Sequence, residues 1–170
     1  MDFEAFNKLT YGLYIVSSQN GEKKNGFVAN AVFQVTSQPP QIAVACNKDN
    51  FTSQLIEKSK VFSISVLKKD ANPKLFGLFG FKSGSNVDKF ESVNHITAIT
   101  GAPIVTDESI AWFDCKLINS FNVGTHIIFI GQIEDSGMLS NEDEPFLYSY
   151  YRTVKRGKAP KNAPTFIVNK

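Results

Sequence analysis

Residues Ile110–Glu134, IAWFDCKLINSFNVGTHIIFIGQIE, contain two long runs of strand-forming residues with the turn NVGTH between them. Ile110–Phe121 alternates apolar and polar side chains, the pattern of a strand with one buried face, because successive side chains point to opposite sides of a sheet. His126–Glu134 has the same character and returns beside it. A connection this short joins antiparallel strands, since a parallel pair needs a crossover of about a dozen residues or more. The pair therefore points to a meander or barrel and away from an open parallel sheet.

The rest of the chain extends that pattern. Val61–Leu67, VFSISVL, alternates strictly and reads as a strand. Tyr11–Ser18 is β-branched and aromatic, and the QNGEKKNG that follows signals a hairpin whose connection is longer than a tight turn. The return strand runs from Phe27 through FVANAVFQVTS, interrupted at Ala29-Asn30-Ala31; Pro39-Pro40 ends it, and Gln41–Cys46 forms the next. Asn50 or Asp49 caps a helix over Phe51–Lys58, with Thr52, Ser53 and Glu57 expected to face water. Ala71–Gly80 predicts a short helix with proline in its first turn and glycine at its end, and FKSGSNVDKFES a loop. The expected fold is mainly β, an antiparallel barrel of about six or seven strands with a few short helices, closure removing exposed sheet edges. The whole of 1–170 reads as a single domain with a basic C-terminal tail from about 152.

Composition narrows the function. With 42% hydrophobic residues in 170, the chain can bury a sizeable core. Its fifteen phenylalanines imply a sheet-rich core or a broad apolar interface. A net charge of +2 gives no argument for nucleic acid or an anionic membrane surface, and no apolar run is long enough to span a bilayer. Cys46 and Cys115 are far apart with no CxxC pair, so they do not make a four-thiolate site and read as core residues. His95 and His126, the two histidines, exclude a histidine-rich metal site. The start, MDFEAFNKLTYG, lacks a secretory h-region, and the expected location is cytoplasmic. No GxSxG elbow, P-loop, HExxH or GxGxxG is present, so an enzyme of this sequence would rely on a bound organic cofactor.

The junction ACNKDNFTSQLI, Ala45–Ile56, has two readings. Asn50 or Asp49 caps the helix, which requires neither Lys48 nor Thr52. Alternatively, the helix N-terminus, the Lys48 cation, the amides of Asn47 and Asn50 and the hydroxyl of Thr52 form a cradle for a phosphate. Asp49 would then point to solvent.

The stretch from Asn25 to Thr52, NGFVANAVFQVTSQPPQIAVACNKDNFT, resembles the flavin reductase-like family. Its elements occur in order: an N-G-F-V-A-N run, Q-V-T-S-x-P-P, a strand exiting in Asn-Lys, and a threonine opening a helix. Val87-Asp88-Lys89-Phe90, the run GTHIIFIG from Gly124 to Gly131, and YYRTVKRGKAP from Tyr150 to Pro160 continue the likeness. The ending is most similar to the flavoredoxin and rubredoxin-linked branch.

The resemblance implies a split barrel binding flavin mononucleotide (FMN). Asn30, Ala31, Val32, Phe33 and Gln34 would run along the isoalloxazine ring. Asn47, Lys48, Asn50, Phe51 and Thr52 would hold the phosphate end, with Lys89 reaching the phosphate or the ring. His126 would lie near the flavin across a homodimer interface, and Phe166 would stack on the ring's edge. Read without the family, Lys89 is a solvated loop lysine, His126 a turn residue and Phe166 a packing residue. NADH or NADPH would reduce the flavin, which carries the chemistry in place of a catalytic side chain. A ferric chelate, free flavin, a separate rubredoxin or a monooxygenase would receive the electrons. The competing readings are a flavoredoxin-like electron carrier that ignores nicotinamides and a non-enzymatic β-barrel binding protein.

Overall fold

The computed structural model describes residues 1–166. After a 3-10 helix at Phe3–Lys8, a seven-stranded antiparallel sheet is built from β1 (Tyr14–Asn20), β2 (Lys23–Ala29), β3 (Val32–Ser37), β4 (Pro40–Asn47), β5 (Val61–Leu67), β8 (Ser109–Asn122) and β9 (His126–Met138). Its order is β2-β1-β5-β8-β9-β4-β3. The strands β6 (His95–Thr97) and β7 (Pro103–Val105) pair separately. Three helices interrupt the strands: α1 (Phe51–Ser59), α2 (Pro73–Phe81) and α3 (Tyr148–Thr153).

The sheet order shows why this is a barrel. β2 and β3 occupy opposite edges, yet only Asn30 and Ala31 connect them. Two residues span only about 7 Å of extended chain, so the sheet must curl until its edges nearly meet. Ala45 N–H of β4 donates to Ala31 C=O at 3.0 Å, carrying the β3–β4 pairing into this connection. Inside, Val16, Phe27, Val44, Ile56, Phe62, Ile64 and Phe129 form one core, which also takes in Cys46 and Cys115. Outside β1 and β2, a second apolar layer holds α2 and the C-terminal helix, with Phe76, Phe79, Phe90, Phe146 and Tyr148 buried.

The long hairpin β8–β9 follows the sequence expectation and extends it to 14 and 13 residues, with bulges between Asp114 and Cys115 and between Leu117 and Asn119. The first hairpin differs. Gln19↔Lys24 and Asn20↔Lys23 pair directly, so Gly21 and Glu22 alone make the turn. Gly21 takes φ +61°, which glycine adopts without a Cβ penalty and which suits a two-residue hairpin. The lysines read as loop are thus strand residues.

The expected helix at 51–58 forms and extends to Ser59, but its faces are not as read. Thr52 and Ser53 are fully buried along with Leu55 and Ile56. These positions share one helical face, and that face packs against the barrel. The two short strands of the small sheet and helix α3 had no counterpart in the sequence reading.

Candidate functional site

β4 ends at Asn47, where the chain turns into α1. Asn47 Oδ1 accepts from Asp49 N–H at 2.9 Å, and Asn50 N–H donates to Asn47 C=O at 3.0 Å. Asn50 then caps the helix, its Oδ1 accepting from Thr52 N–H at 2.9 Å. Ser53 N–H donates to Asn50 C=O at 3.0 Å, so the Phe51 N–H and the positive end of the helix dipole are left beside the turn. Opposite lies β2, where Asn25 is buried and its Nδ2 donates to Thr52 Oγ1 at 3.0 Å.

Between these elements is a cavity of about 300 Å³. Asn25, Phe27, Val28 and Ala29 on β2 and Asn47, Asp49, Asn50 and Phe51 at the junction contribute its floor, Phe79 to Gly84 one side, and the irregular segment Pro160–Pro164 its roof. Lys89 also lines it and is only 2% exposed. Its ammonium donates to Gly26 C=O at 2.8 Å and to Phe79 C=O at 3.4 Å, and sits 5.6 Å from the centre of the Phe79 ring. Among the described residues no carboxylate pairs with it. The neighbouring Asp88 instead accepts from Phe90 N–H at 2.8 Å. Burial pulls the Lys89 pKa down to about 8. A cation held by two carbonyls, with its third N–H uncommitted, is arranged to receive an anion.

The roof is tied down by side chains, most of them distant in sequence. His126 Nε2 lies 3.2 Å from Asn162 C=O, and Tyr151 O–H donates to Lys158 C=O at 3.3 Å. Asn30 Nδ2 donates to Thr165 Oγ1 at 2.8 Å, which in turn donates to Tyr148 Oη at 2.9 Å. A smaller cleft on the other side of this segment is lined by Val28, Asn30, Phe81, Tyr148 and Tyr151.

Residues 6–157 match the family model described as "Flavin reductase like domain". The chain belongs to the flavin reductase-like family. It is 46% identical over its full length to the high molecular weight rubredoxin of Moorella thermoacetica, covering 74% of that protein. It is 41% identical to the ferric-chelate reductase (NAD(P)H) of Archaeoglobus fulgidus, with both chains covered completely. Its fold matches the NADH:FAD oxidoreductase structure from Streptomyces globisporus with a TM-score of 0.75, at 24% identity and 84% coverage of each chain.

In this flavin reductase-like chain, the residues expected at the site separate into three groups. Asn47, Asn50, Phe51 and Lys89 line the cavity together. Thr52 stands behind its floor, fully buried and bonded to Asn25; Asn30 and His126 hold the roof. The others point elsewhere. Lys48 is exposed, its Nζ 3.5 Å from Asn122 Oδ1 at the β8–β9 tip. Ala31 is half-buried, Val32 packs against the barrel core, and Phe33 and Gln34 lie exposed on β3, Phe33 at 59%. Phe166 is exposed at the end of the described chain, and Asp49, expected to point away, lines the cavity.

Sequence reasoning missed Asn25, Gly84 and the Pro160–Pro164 roof. Asn25 sits inside the N-G-F-V-A-N run, but nothing local marks its side chain as buried. The basic tail from about 152 supplies, through Pro160–Pro164, the roof of the cavity.

Proposed function

We propose that the chain is an FMN-binding, NAD(P)H-dependent flavin reductase that passes electrons to a small-molecule or protein acceptor. The observation that carries this reading is Lys89, a buried ammonium without a carboxylate partner among the described residues, in a cavity beside a capped helix N-terminus. The donor set fits a phosphate ester. Lys89, the uncommitted N–H of Phe51 and the amides of Asn47 and Asn50 would hold it. When bound, FMN supplies the hydride-accepting and electron-passing chemistry. The protein's part is to orient the ligand, cover it with the Pro160–Pro164 segment and keep a positive charge at its anionic end.

The whole chain acts as one domain in this reading, with the tail completing the site. We place the protein in the cytoplasm, where nicotinamides are available and where the free, buried Cys46 and Cys115 suit a reducing compartment. Among the described residues no helix is long and apolar enough to cross a membrane.

A homodimer belongs to the same proposal. The pairings Phe33↔Ala43, Ala43↔Ile130 and Phe121↔Ile128 put Phe33, Ile130, Ile128 and Phe121 on the barrel's outer face, because Ile127 and Phe129 point inward. Phe33 and Phe121 are more than half exposed. An apolar face of this kind is suited to a second copy, and would bring Ala31 to Gln34 into a site shared between protomers. Phe33→Asp should convert a dimer to a monomer in sedimentation.

The deciding experiment is the visible spectrum of the purified protein with FMN, followed by NADH and NADPH under anaerobic conditions. Flavin bands that appear on the protein and bleach with either nicotinamide support the reductase. A bound flavin that ignores both would make the protein an electron carrier, with a separate rubredoxin as donor or acceptor; the likeness to the Moorella protein favours that class of partner. A protein that binds no flavin overturns the proposal.

A further inference from the structure

Asn25 and Gly26, consecutive on β2, join the two arms that would hold an anion. Asn25 is 1% exposed, and its Nδ2 donates to Thr52 Oγ1 at 3.0 Å. Thr52 N–H in turn donates to Asn50 Oδ1 at 2.9 Å, so a single residue in the first turn of α1 carries both the cap and the bond to β2. With its Oδ1 committed, the Asn50 amide has its Nδ2 left for a ligand. Gly26 serves the other arm. Its C=O accepts from the Lys89 ammonium at 2.8 Å, and a Cβ there would meet the Phe79 ring at 3.0 Å. The missing side chain thus lets Phe79, whose carbonyl is the ammonium's second acceptor, lie close against β2.

The Asn25 side chain is itself out of a ligand's reach. Gly84 packs on it so closely that a Cβ would overlap Oδ1, Cγ and Nδ2, and Oδ1 has no hydrogen-bond partner among the described residues. A leucine would fill similar space without a buried unpaired oxygen, so the amide is accounted for by its bond to Thr52. Holding α1 on the barrel does not require that bond, because Leu55 and Ile56 are buried on the same helical face. What it fixes is the first turn. We propose that Asn25 is a positioning residue, which sets, through Thr52, where the Phe51 N–H and the Asn50 amide stand relative to Lys89, and so the spacing of the two arms that grip a phosphate. This assignment rests on the FMN reading. Donors from separate elements converge on one group only when each is held to within about 0.5 Å.

The test compares FMN with riboflavin, which lacks the phosphate, by fluorescence titration of the apoprotein. Thr52→Val keeps the shape and removes the acceptor; it should weaken FMN about fivefold, the worth of one net hydrogen bond, and leave riboflavin within about twofold. Thr52→Ser retains the hydroxyl and should bind FMN as wild type does. Asn25→Leu should match Thr52→Val, and the double variant should be no worse than either, because all three lose the same bond. The double variant also separates positioning from stability. Replacing both partners by apolar groups should recover thermal stability lost in Thr52→Val, where Asn25 Nδ2 is left unpaired, while the FMN deficit stays. A deficit that disappears as stability returns would make the bond structural only and overturn the assignment. So would wild-type FMN affinity in Asn25→Leu, or equal losses for FMN and riboflavin. If Asn25→Leu does not fold, Thr52→Val against Thr52→Ser decides: equal FMN affinity of the two overturns the assignment. Wild type that binds neither flavin overturns the FMN reading and this assignment with it; wild type that binds FMN with no effect of these substitutions overturns the assignment alone.

Discussion

The floor and the roof of the cavity are built on opposite principles. The floor is regular structure: β2 and β4 are fixed in the sheet, α1 is capped by Asn50, and Lys89 is locked to Gly26 and Phe79 carbonyls. The roof, Lys158–Thr165, has no helix or strand, and side-chain bonds hold it in place, a local one from Tyr151 and longer-range ones from His126, Asn30 and Tyr148. The family match ends at Gly157, so the roof lies just beyond it. A floor of this kind sets how strongly the ligand is held, because its polar groups are preorganised. A roof held by a few exchangeable bonds sets how fast the ligand enters and leaves.

The largest effect should come from the floor. Lys89→Met keeps the length of the side chain and removes its charge. Losing the buried cation that pairs with a phosphate should cost about 3 kcal/mol of FMN affinity, or roughly a hundredfold in Kd. Riboflavin should lose little, because it has no phosphate. The apoprotein should be no less stable, since an unpaired buried ammonium is itself unfavourable. A Lys89→Met protein that binds FMN as wild type does would remove the cation from the site.

Lys89 also gives the floor a pH dependence. In the folded apoprotein its pKa is about 8, against an ordinary value of 10.5. Between those values the unfolded chain holds the proton and the folded chain does not. Apoprotein stability should therefore rise with pH across that window, with Lys89→Met lacking the rise. Binding responds in the opposite sense. A phosphate favours the ammonium, so FMN binding takes up a proton above pH 8, and affinity should fall about tenfold between pH 7 and 9. Titrations of riboflavin over the same range should be nearly flat. Equal slopes for the two flavins would assign the pH dependence to another group.

Why the floor was partly legible in the sequence and the roof was not follows from the range of the interactions. VFSISVL and the Ile110–Glu134 hairpin announce themselves because a strand with one buried face repeats every second residue. Asn50 as a cap is equally local. The strands His95–Thr97 and Pro103–Val105 have three residues each, too few for a period to show. Thr52 and Ser53 look like solvent-facing helix starters, and only the packing of α1 on the barrel buries them. Lys89 lies among loop residues, and its burial depends on Gly26 and Phe79, which are distant in sequence; the family likeness pointed to it, whereas composition did not. The roof depends on bonds from Asn30 to Thr165 and from His126 to Asn162, separations that no sequence window covers.

The roof should be separable from the floor. A chain ending at Gly157 keeps all nine strands and α3 and loses the wall formed by Pro160–Pro164. FMN dissociation, followed by stopped-flow fluorescence, should accelerate about fivefold, with a smaller change in association, as expected when contacts are lost on one side of a bound ligand. The shortened chain should still show the hundredfold effect of Lys89→Met. If truncation abolished FMN binding, roof and floor would be one cooperative unit and the contrast between them would fail.

His126 gives the smallest and sharpest probe. It begins β9 opposite Asn47, so its backbone belongs to the floor, while its Nε2 contacts the Asn162 carbonyl of the roof. A partly exposed hydrogen bond of this kind contributes about 1 kcal/mol or less. His126→Ala should therefore raise the FMN dissociation rate about two- to threefold, in the direction of the truncated chain. In the chain ending at Gly157 the same substitution should change nothing, because its partner is gone. That pair of measurements forms a double-mutant cycle, and the coupling it reports is the bond itself. If His126→Ala slows turnover or shifts the pH profile in both backgrounds, the imidazole acts on the bound flavin or nicotinamide directly. The histidine would then move from the roof's anchor to the reacting centre.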